Sequence, residues 1–421
     1  MLIDYKFKNF LSFKNECHLS MQASADKTLD DHLIDNGNER LCKVKIFYGA
    51  NASGKTALIR SMSSMKNFIR NNSRLSSAEG VDTHGFKFVQ DYQNYPTSFE
   101  ISFRAKGTKY IYKFSRTNNK VLTEELKAYY TAKPTTLFRK KEDGCYYFSD
   151  NSKKLKDIEA KTSQNKLFLS VSDVWNYEKV KDVVEYLTKQ IAVVGDIENI
   201  RRSLIKNVMV DFENYKKFVL KFLSLCDISI SDFKVDSQKF KDTDDSEILY
   251  SLVMAMSKND QAKAEKALDG SYYDIITMHN IKSDNDKTET YELKLMEESL
   301  GTQGLFNFAP VLYDVLKNGK VLFIDELDKS LHPKLVKQII RMFLDEEFNP
   351  NNAQLICNTH ETTLLDLDFL RRDEIMFVER DYQTGVSGIY SLADFSIRKE
   401  DDIEKAYNLG RYGAVPFIKE D

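Results

Sequence analysis

The stretch Gly49-Ala-Asn-Ala-Ser-Gly-Lys-Thr56 decides how this chain is to be read. It matches GxxxxGK[ST] in full, directly after the apolar run Val44-Lys-Ile-Phe-Tyr48. A helical pattern follows at once, carried by Ala57, Leu58, Met62, Met65, Phe68 and Ile69. Glycines let successive backbone N–H groups turn toward one anion, and the N-terminus of the next helix adds partial positive charge. The pattern therefore predicts a phosphate loop in which Gly49, Asn51, Ala52, Ser53 and Gly54 surround a polyphosphate. Lys55 would reach the β- and γ-phosphates, and the Thr56 hydroxyl would ligate Mg2+.

Further along, Val321-Leu-Phe-Ile-Asp-Glu326 is an apolar strand ending in two acids. Alone the pattern is weak, but downstream of a phosphate loop it becomes a second nucleotide element. Asp325 would hold Mg2+ through its water shell and Glu326 would polarise the attacking water. Asn358-Thr-His360 ends the strand Gln354–Asn358, at the carboxyl side where ligands collect in α/β sheets, so His360 is expected to sense the γ-phosphate. Glu298-Ser-Leu-Gly-Thr-Gln303 precedes a helix expected to begin near Leu305, and Ser299 and Gly301 there would form either an ordinary N-cap or an anion site. His332 reads as structural or interfacial.

Composition narrows the classes. Of 421 residues, 61 are basic and 64 acidic, so a generally basic nucleic-acid coat is excluded and any such contact must be a local patch. Aromatic residues at 12% argue against disorder. Five scattered Cys without a CxxC pair argue against a disulfide framework or zinc cluster and for a reducing, cytoplasmic setting. Neither a signal peptide nor a membrane helix is expected.

The element pattern is α/β at both ends. A strand over Leu2–Phe7 opens the chain, and Gly85 to about Leu126 reads as an antiparallel meander that includes Phe86–Val89, Ser98–Phe103 and Lys109–Phe114. Helical periodicity dominates from about Leu155, with one face running from Val180 to Ile191 and another from Tyr215 to Phe222. Asp236 to Asp245 reads as a surface loop, and Tyr272–Met278 with Thr290–Leu295 as a hairpin. The expected division is 1–150 and 286–421 as two parts of one head, with a mostly helical insert at 151–285.

The order of these landmarks resembles ABC-type heads of the P-loop NTPase fold, in the RecF- and SMC-like branch. More closely it resembles the stand-alone "AAA family ATPase" proteins of prokaryotic antiphage defence loci, the abortive-infection, PARIS- or Septu-type ATPases. The residues that carry this are Phe10-Leu-Ser-Phe-Lys-Asn15, Glu298–Thr302, Asp325-Glu-Leu-Asp-Lys-Ser-Leu-His-Pro333, Thr359-His-Glu361, Arg372–Glu379 and Gly410-Arg-Tyr-Gly-Ala-Val-Pro416. The resemblance implies ATP and Mg2+ as ligands and a head-to-head homodimer, or a higher homo-oligomer. Each ATP would meet the phosphate loop of one subunit and Ser299-Leu-Gly301 of the other, with Asp328 as the D-loop acid and His360 as the switch histidine. Two departures are visible: Ser-Leu-Gly-Thr-Gln is not the transporter signature, and neither Gln90 nor Gln164 can be assigned as a Q-loop glutamine.

These readings converge on an ATP-hydrolysing switch that controls a separate toxic effector, a nuclease or other toxin. One alternative is a DNA-repair ATPase clamping nucleic acid through Arg201, Arg202, Lys206, Lys216 and Lys217. The other is a non-hydrolysing scaffold that uses ATP only to dimerise.

Overall fold

The computed structural model describes residues 1–37, 39–150, 152–195, 205, 207–239, 271–282, 286–329, 331–398 and 401–416. They fall into two compact units: Met1–Gly195 with Val315–Asp328 and Ile339–Asp421, and Asp196–Asp314 with Lys329–Gln338. These limits differ from the division at 150 and 285, because the segment Lys153–Glu185 packs into the first unit's core.

In the first unit, one six-stranded sheet carries the phosphate loop. Its order is β11 (Ile191–Val194), β15 (Val321–Ile324), β16 (Gln354–Asn358), β5 (Val44–Tyr48), β17 (Ile375–Arg380) and β18 (Ser387–Ser391). Neighbours from β11 to β17 pair in parallel, and β18 closes the edge antiparallel to β17. The central strands β5, β15 and β16 are buried throughout, as parallel strands covered on both faces must be.

The second sheet is wholly antiparallel. Its order is β10 (Tyr146–Phe148), β9 (Thr135–Lys140), β8 (Val121–Tyr129), β7 (Thr108–Arg116), β6 (Thr97–Ala105), β1 (Leu2–Lys8) and β2 (Cys17–Ser20). A small hairpin, β3 (Leu33–Asp35) and β4 (Arg40–Cys42), stands apart. Helix α1 (Lys55–Asn71) joins the two large sheets in one core. Its Phe68 stacks on Phe114 of β7, and its Ser61 accepts the hydroxyl of Tyr5 from β1 at 3.0 Å. Tyr5 in turn meets Phe323 of β15 edge-on. The short helices α2 (Lys153–Lys161), α3 (Phe168–Val174) and α4 (Glu178–Glu185) complete this core.

The second unit holds α5 (Phe212–Leu225) and a three-stranded antiparallel sheet of β12 (Asp232–Lys239), β13 (Ser271–Lys282) and β14 (Thr288–Lys294). Phe233 of β12 packs edge-on against Phe212, Tyr215 and Phe306. Three helices follow in the chain: α6 (Leu300–Lys317), α7 (Pro333–Leu344) and α8 (Ile403–Asn408).

Four expectations are corrected. Phe86–Val89 is a turn, because the Phe86 N–H is held by the Asn9 side chain at 2.9 Å instead of a ladder partner. The helical face expected to run to Ile191 ends one residue short of it: α4 ends at Glu185, a π-helical turn carries on over Tyr186–Gln190, and Ile191–Val194 becomes an edge strand of the phosphate-loop sheet. Its β-branched residues suit a strand better than a further helical turn. Asp236–Lys239 is strand, and the remainder of that expected loop lies outside the described residues. Finally, α6 begins at Leu300, five residues before Leu305.

Candidate functional site

The site is built where strands of the parallel sheet end. The loop after β5 turns back over itself and starts α1 at Lys55. Two glycines are obligatory there. A Cβ at Gly49 would collide with the Val378 carbonyl oxygen of β17, and Gly54 sits at φ +120 with a Cβ position 2.7 Å from Ser387 Oγ and 2.9 Å from Ser12 Oγ. Ala52 also takes a left-handed φ of 62, which leaves Asn51 and Ala52 exposed at the loop crown. Ser53 is buried, and neither its hydroxyl nor that of Ser12 has a hydrogen-bond partner among the described residues.

Lys55 is only 8% exposed, and its ammonium donates to the carbonyls of Gly49 at 2.6 Å and Ala50 at 3.1 Å. Burial pushes that ammonium down from its ordinary value, while the carboxylates of Asp325, Asp328 and Glu326 draw it back up. Thr56 donates its hydroxyl to Asp325 Oδ1 at 3.2 Å, across 269 residues of chain.

Asn358, at the end of β16, organises the acids. Its side-chain amide donates to Asp325 Oδ1, and its Oδ1 accepts the Glu326 N–H at 2.6 Å. Its backbone carbonyl accepts from Leu327 N at 3.1 Å. Glu326 itself lies at φ 52, a left-handed conformation that costs on the order of 1–3 kcal/mol and persists only where surroundings impose it. The fork from Asn358 is what imposes it here. On the next strand-end turn, the His360 N–H donates to Asp328 Oδ2 at 3.0 Å, and the His360 side chain stays exposed. Asp328 Oδ1 is buried without a partner among the described residues.

The structure thus brings Gly49–Thr56, Asp325, Glu326, Asp328 and His360 to one end of one sheet. Ser299 and Gly301 lie in the other unit. There Ser299 caps α6: its hydroxyl meets Thr302 Oγ1 at 2.9 Å and accepts the Thr302 N–H at 3.2 Å. The residue before it is fixed by the β13–β14 hairpin, since Glu298 Oε1 accepts from Thr277 Oγ1 at 2.6 Å and bonds His279 Nε2 at 2.7 Å. Among the described residues the His332 ring makes a local contact, accepting the Lys334 N–H at 3.2 Å. Gln90 and Gln164 hydrogen-bond to no site residue among the described residues; the Gln164 carbonyl accepts from Val121.

Sequence reading missed Asn358, Ser387 and Ser12 as site residues. Ser387 donates its hydroxyl to the Ser53 carbonyl and its N–H to Ser12, bracing the loop from β18. Beside the loop runs a groove of about 2020 Å3, bordered by Lys14, Glu16, Ala50–Ser53, Arg380 and Tyr382, with room for a nucleoside.

A triphosphate and Mg2+ fit this arrangement. The loop leads straight into the N-terminus of the long helix α1, two serine hydroxyls stand without a partner among the described residues, and Thr56 with Asp325 offers the hard oxygens that Mg2+ takes. A family model described as "AAA domain, putative AbiEii toxin, Type IV TA system" matches residues 46–366, which contain the site residues from Gly49 to His360 but not Ser12 or Ser387. The chain belongs to this family. Its AAA domain has the P-loop NTPase arrangement, with the phosphate loop between β5 of a parallel sheet and α1. Among solved structures, an SMC head bound to the C-winged helix domain of ScpA is similar at TM-score 0.44 and 14% identity, over 94% of this chain and 98% of that one. A likeness of that strength fixes neither fold nor partner. No curated protein matches the chain. No described helix of this AAA-domain protein is long and apolar enough to cross a membrane.

Proposed function

We propose that this protein binds ATP with Mg2+ at the phosphate loop and hydrolyses it as a homodimer whose protomers complete each other's sites. The observation that carries this reading is the Asn358 fork, which ties the Asp325 carboxylate to the backbone of a left-handed Glu326. A strained acid held by a neighbouring strand end is placed for chemistry more than for packing.

The loop N–H groups and Lys55 would bind the β- and γ-phosphates, with Lys55 exchanging the carbonyls of Gly49 and Ala50 for phosphate oxygens. Mg2+ at Thr56 and Asp325 would supply charge neutralisation on those phosphates. Glu326 would orient the attacking water and accept its proton. His360, exposed on a turn anchored to Asp328, would answer to the third phosphate. Ser299 and Gly301, at the exposed start of α6, would close on the partner's ATP, with Asp328 Oδ1 free to bond across the interface.

The biological setting we infer is a cytoplasmic switch controlling a separate toxic effector in antiphage defence. The family description, which names a toxin of a type IV TA system, supports that setting. The DNA-clamp reading has less behind it: Lys216 is already paired with Asp232 at 2.7 Å, and Arg201, Arg202 and Lys206 lie outside the described residues. A scaffold that only binds ATP would have no use for a strained Glu326. The test is ATP turnover with Mg2+ together with sizing in the presence of ATP. Turnover that disappears in Glu326→Gln, with an ATP-dependent dimer, supports the proposal; wild-type protein that neither hydrolyses ATP nor dimerises with it ends the proposal.

A further inference from the structure

A second concentration of charge gathers around Arg372, ahead of the start of β17. β17 runs parallel to β5, so the phosphate loop follows their carboxyl ends while Arg372 precedes β17 at the opposite side. Arg372, Arg398 and Arg411 line one concavity of about 500 Å3 together with Ser396, Ile397 and Asp401.

The neighbour Arg371 shows what a structural arginine looks like in this region. Its side chain is fully buried and forks onto Asp373, with Nε and Nη2 each 2.9 Å from a carboxylate oxygen. By contrast, none of the three cleft guanidinia makes a side-chain hydrogen bond or ion pair with a described residue. The nearby carboxylates bond groups other than these guanidinia, although Asp401 lines the cleft itself. Asp401 accepts the Arg398 backbone N–H at 2.9 Å, and Asp26, which feels the charge of Arg371 and Arg372, accepts both the N–H and the hydroxyl of Thr28 at 2.9 Å. Beside Arg411 and Asp401, the Tyr412 hydroxyl is buried without a partner among the described residues.

We propose that this cleft binds a small phosphorylated ligand of nucleotide size, carrying at least a diphosphate, through Arg372, Arg398 and Arg411. Three like charges facing one hollow repel one another, and a polyanion offsets that cost. Guanidinium forks match phosphate oxygens two at a time. The volume falls in the range of small-molecule sites, about 300–1,000 Å3. A nucleic-acid backbone suits the cleft less well, because the net charge of -3 provides no wide basic field for a polymer. This inference does not depend on ATP hydrolysis at the phosphate loop.

The experiment uses full-length protein carrying Lys55→Ala, so that the phosphate loop is disabled. Calorimetric titration with pyrophosphate, and separately with ADP, at low ionic strength should still show binding. Adding Arg398→Glu or Arg411→Glu should weaken it about tenfold or more, the effect of losing a charge-assisted contact. Both residues are exposed, and a thermal melt checks folding; if a charge reversal lowers the melt, the Gln variants replace it with the same expected direction. Arg398→Lys, which keeps the charge but not the fork, should fall between. The proposal is overturned if Lys55→Ala protein binds no pyrophosphate, or if folded Arg398 and Arg411 variants bind it unchanged. Tighter binding of a single-stranded oligonucleotide through the same arginines would overturn the small ligand in favour of a nucleic-acid backbone.

Discussion

The phosphate-loop end of the parallel sheet and the start of α6 are the two places that we propose meet phosphate, and they are made by opposite means. The first gathers Ser12, Gly49–Thr56, Asp325–Asp328, Asn358, His360 and Ser387 from across the chain, and its contacts reach as far as from Ser12 to Ser387. The second is nearly self-sufficient: Ser299 bonds Thr302, and Gln303 Nε2 donates to the Glu298 carbonyl at 2.8 Å. Its long tie is the Glu298 side chain, held by Thr277 and His279 of β13. The difference teaches where each site is vulnerable. The first exists only if the sheet is formed, so substitutions there should alter chemistry and stability together. The second can form as a helix cap on its own, so its function depends on how the β13–β14 hairpin presents it.

The largest effect should follow from Glu326→Gln, which keeps size and hydrogen bonding but removes the base. Turnover should fall by about 10²–10⁴ while ATP binding survives, as kinetics and calorimetry would read. Undiminished turnover would assign the base elsewhere. Lys55→Ala should come next. It removes the phosphate contact and frees two loop carbonyls, costing on the order of 3 kcal/mol of nucleotide affinity, about a hundredfold. Unchanged ATP affinity in the folded variant would break the loop assignment.

Asn358→Ala tests whether the sheet end is one network. The Glu326 N–H and Asp325 Oδ1 each lose a buried partner, so stability should drop by about 1–3 kcal/mol and turnover about tenfold, with KM little changed. A loss of stability at full turnover would make Asn358 purely structural. The comparison between the two regions is sharpened most directly by mixing Lys55→Ala and Ser299→Arg proteins, each inactive alone. Random pairing gives about half heterodimers, each with one intact composite site, so activity should return to about a quarter of wild type. Exchange without recovery would show that Ser299 does not complete the partner's site. The smallest effect belongs to His279→Ala, which removes one bond to Glu298 worth about 1 kcal/mol. Turnover should fall a few-fold at unchanged ATP affinity; weakened ATP binding instead would mean the hairpin acts on the phosphate loop.

What the sequence determined by itself is the part governed by local backbone demands. Gly49 and Gly54 announce a loop that no side chain could enter, and their places beside Val378 and Ser387 show why. Val44–Tyr48, Val321–Ile324 and Gln354–Asn358 are short apolar runs that only a doubly covered parallel strand explains, so they and the acids after them were legible. Tertiary structure alone decided the rest. Phe86–Val89 alternates like a strand but loses its ladder to one Asn9 side chain, and the helical period that reaches Ile191 gives way there to a strand because β15 offers a parallel partner. Asn358 looks like the last residue of a strand until Asp325 and Glu326 arrive beside it from 33 and 32 residues away. A local pattern records what a segment prefers, whereas a hydrogen-bond fork between strand ends depends on which strands become neighbours, and that is set by burial of the whole sheet.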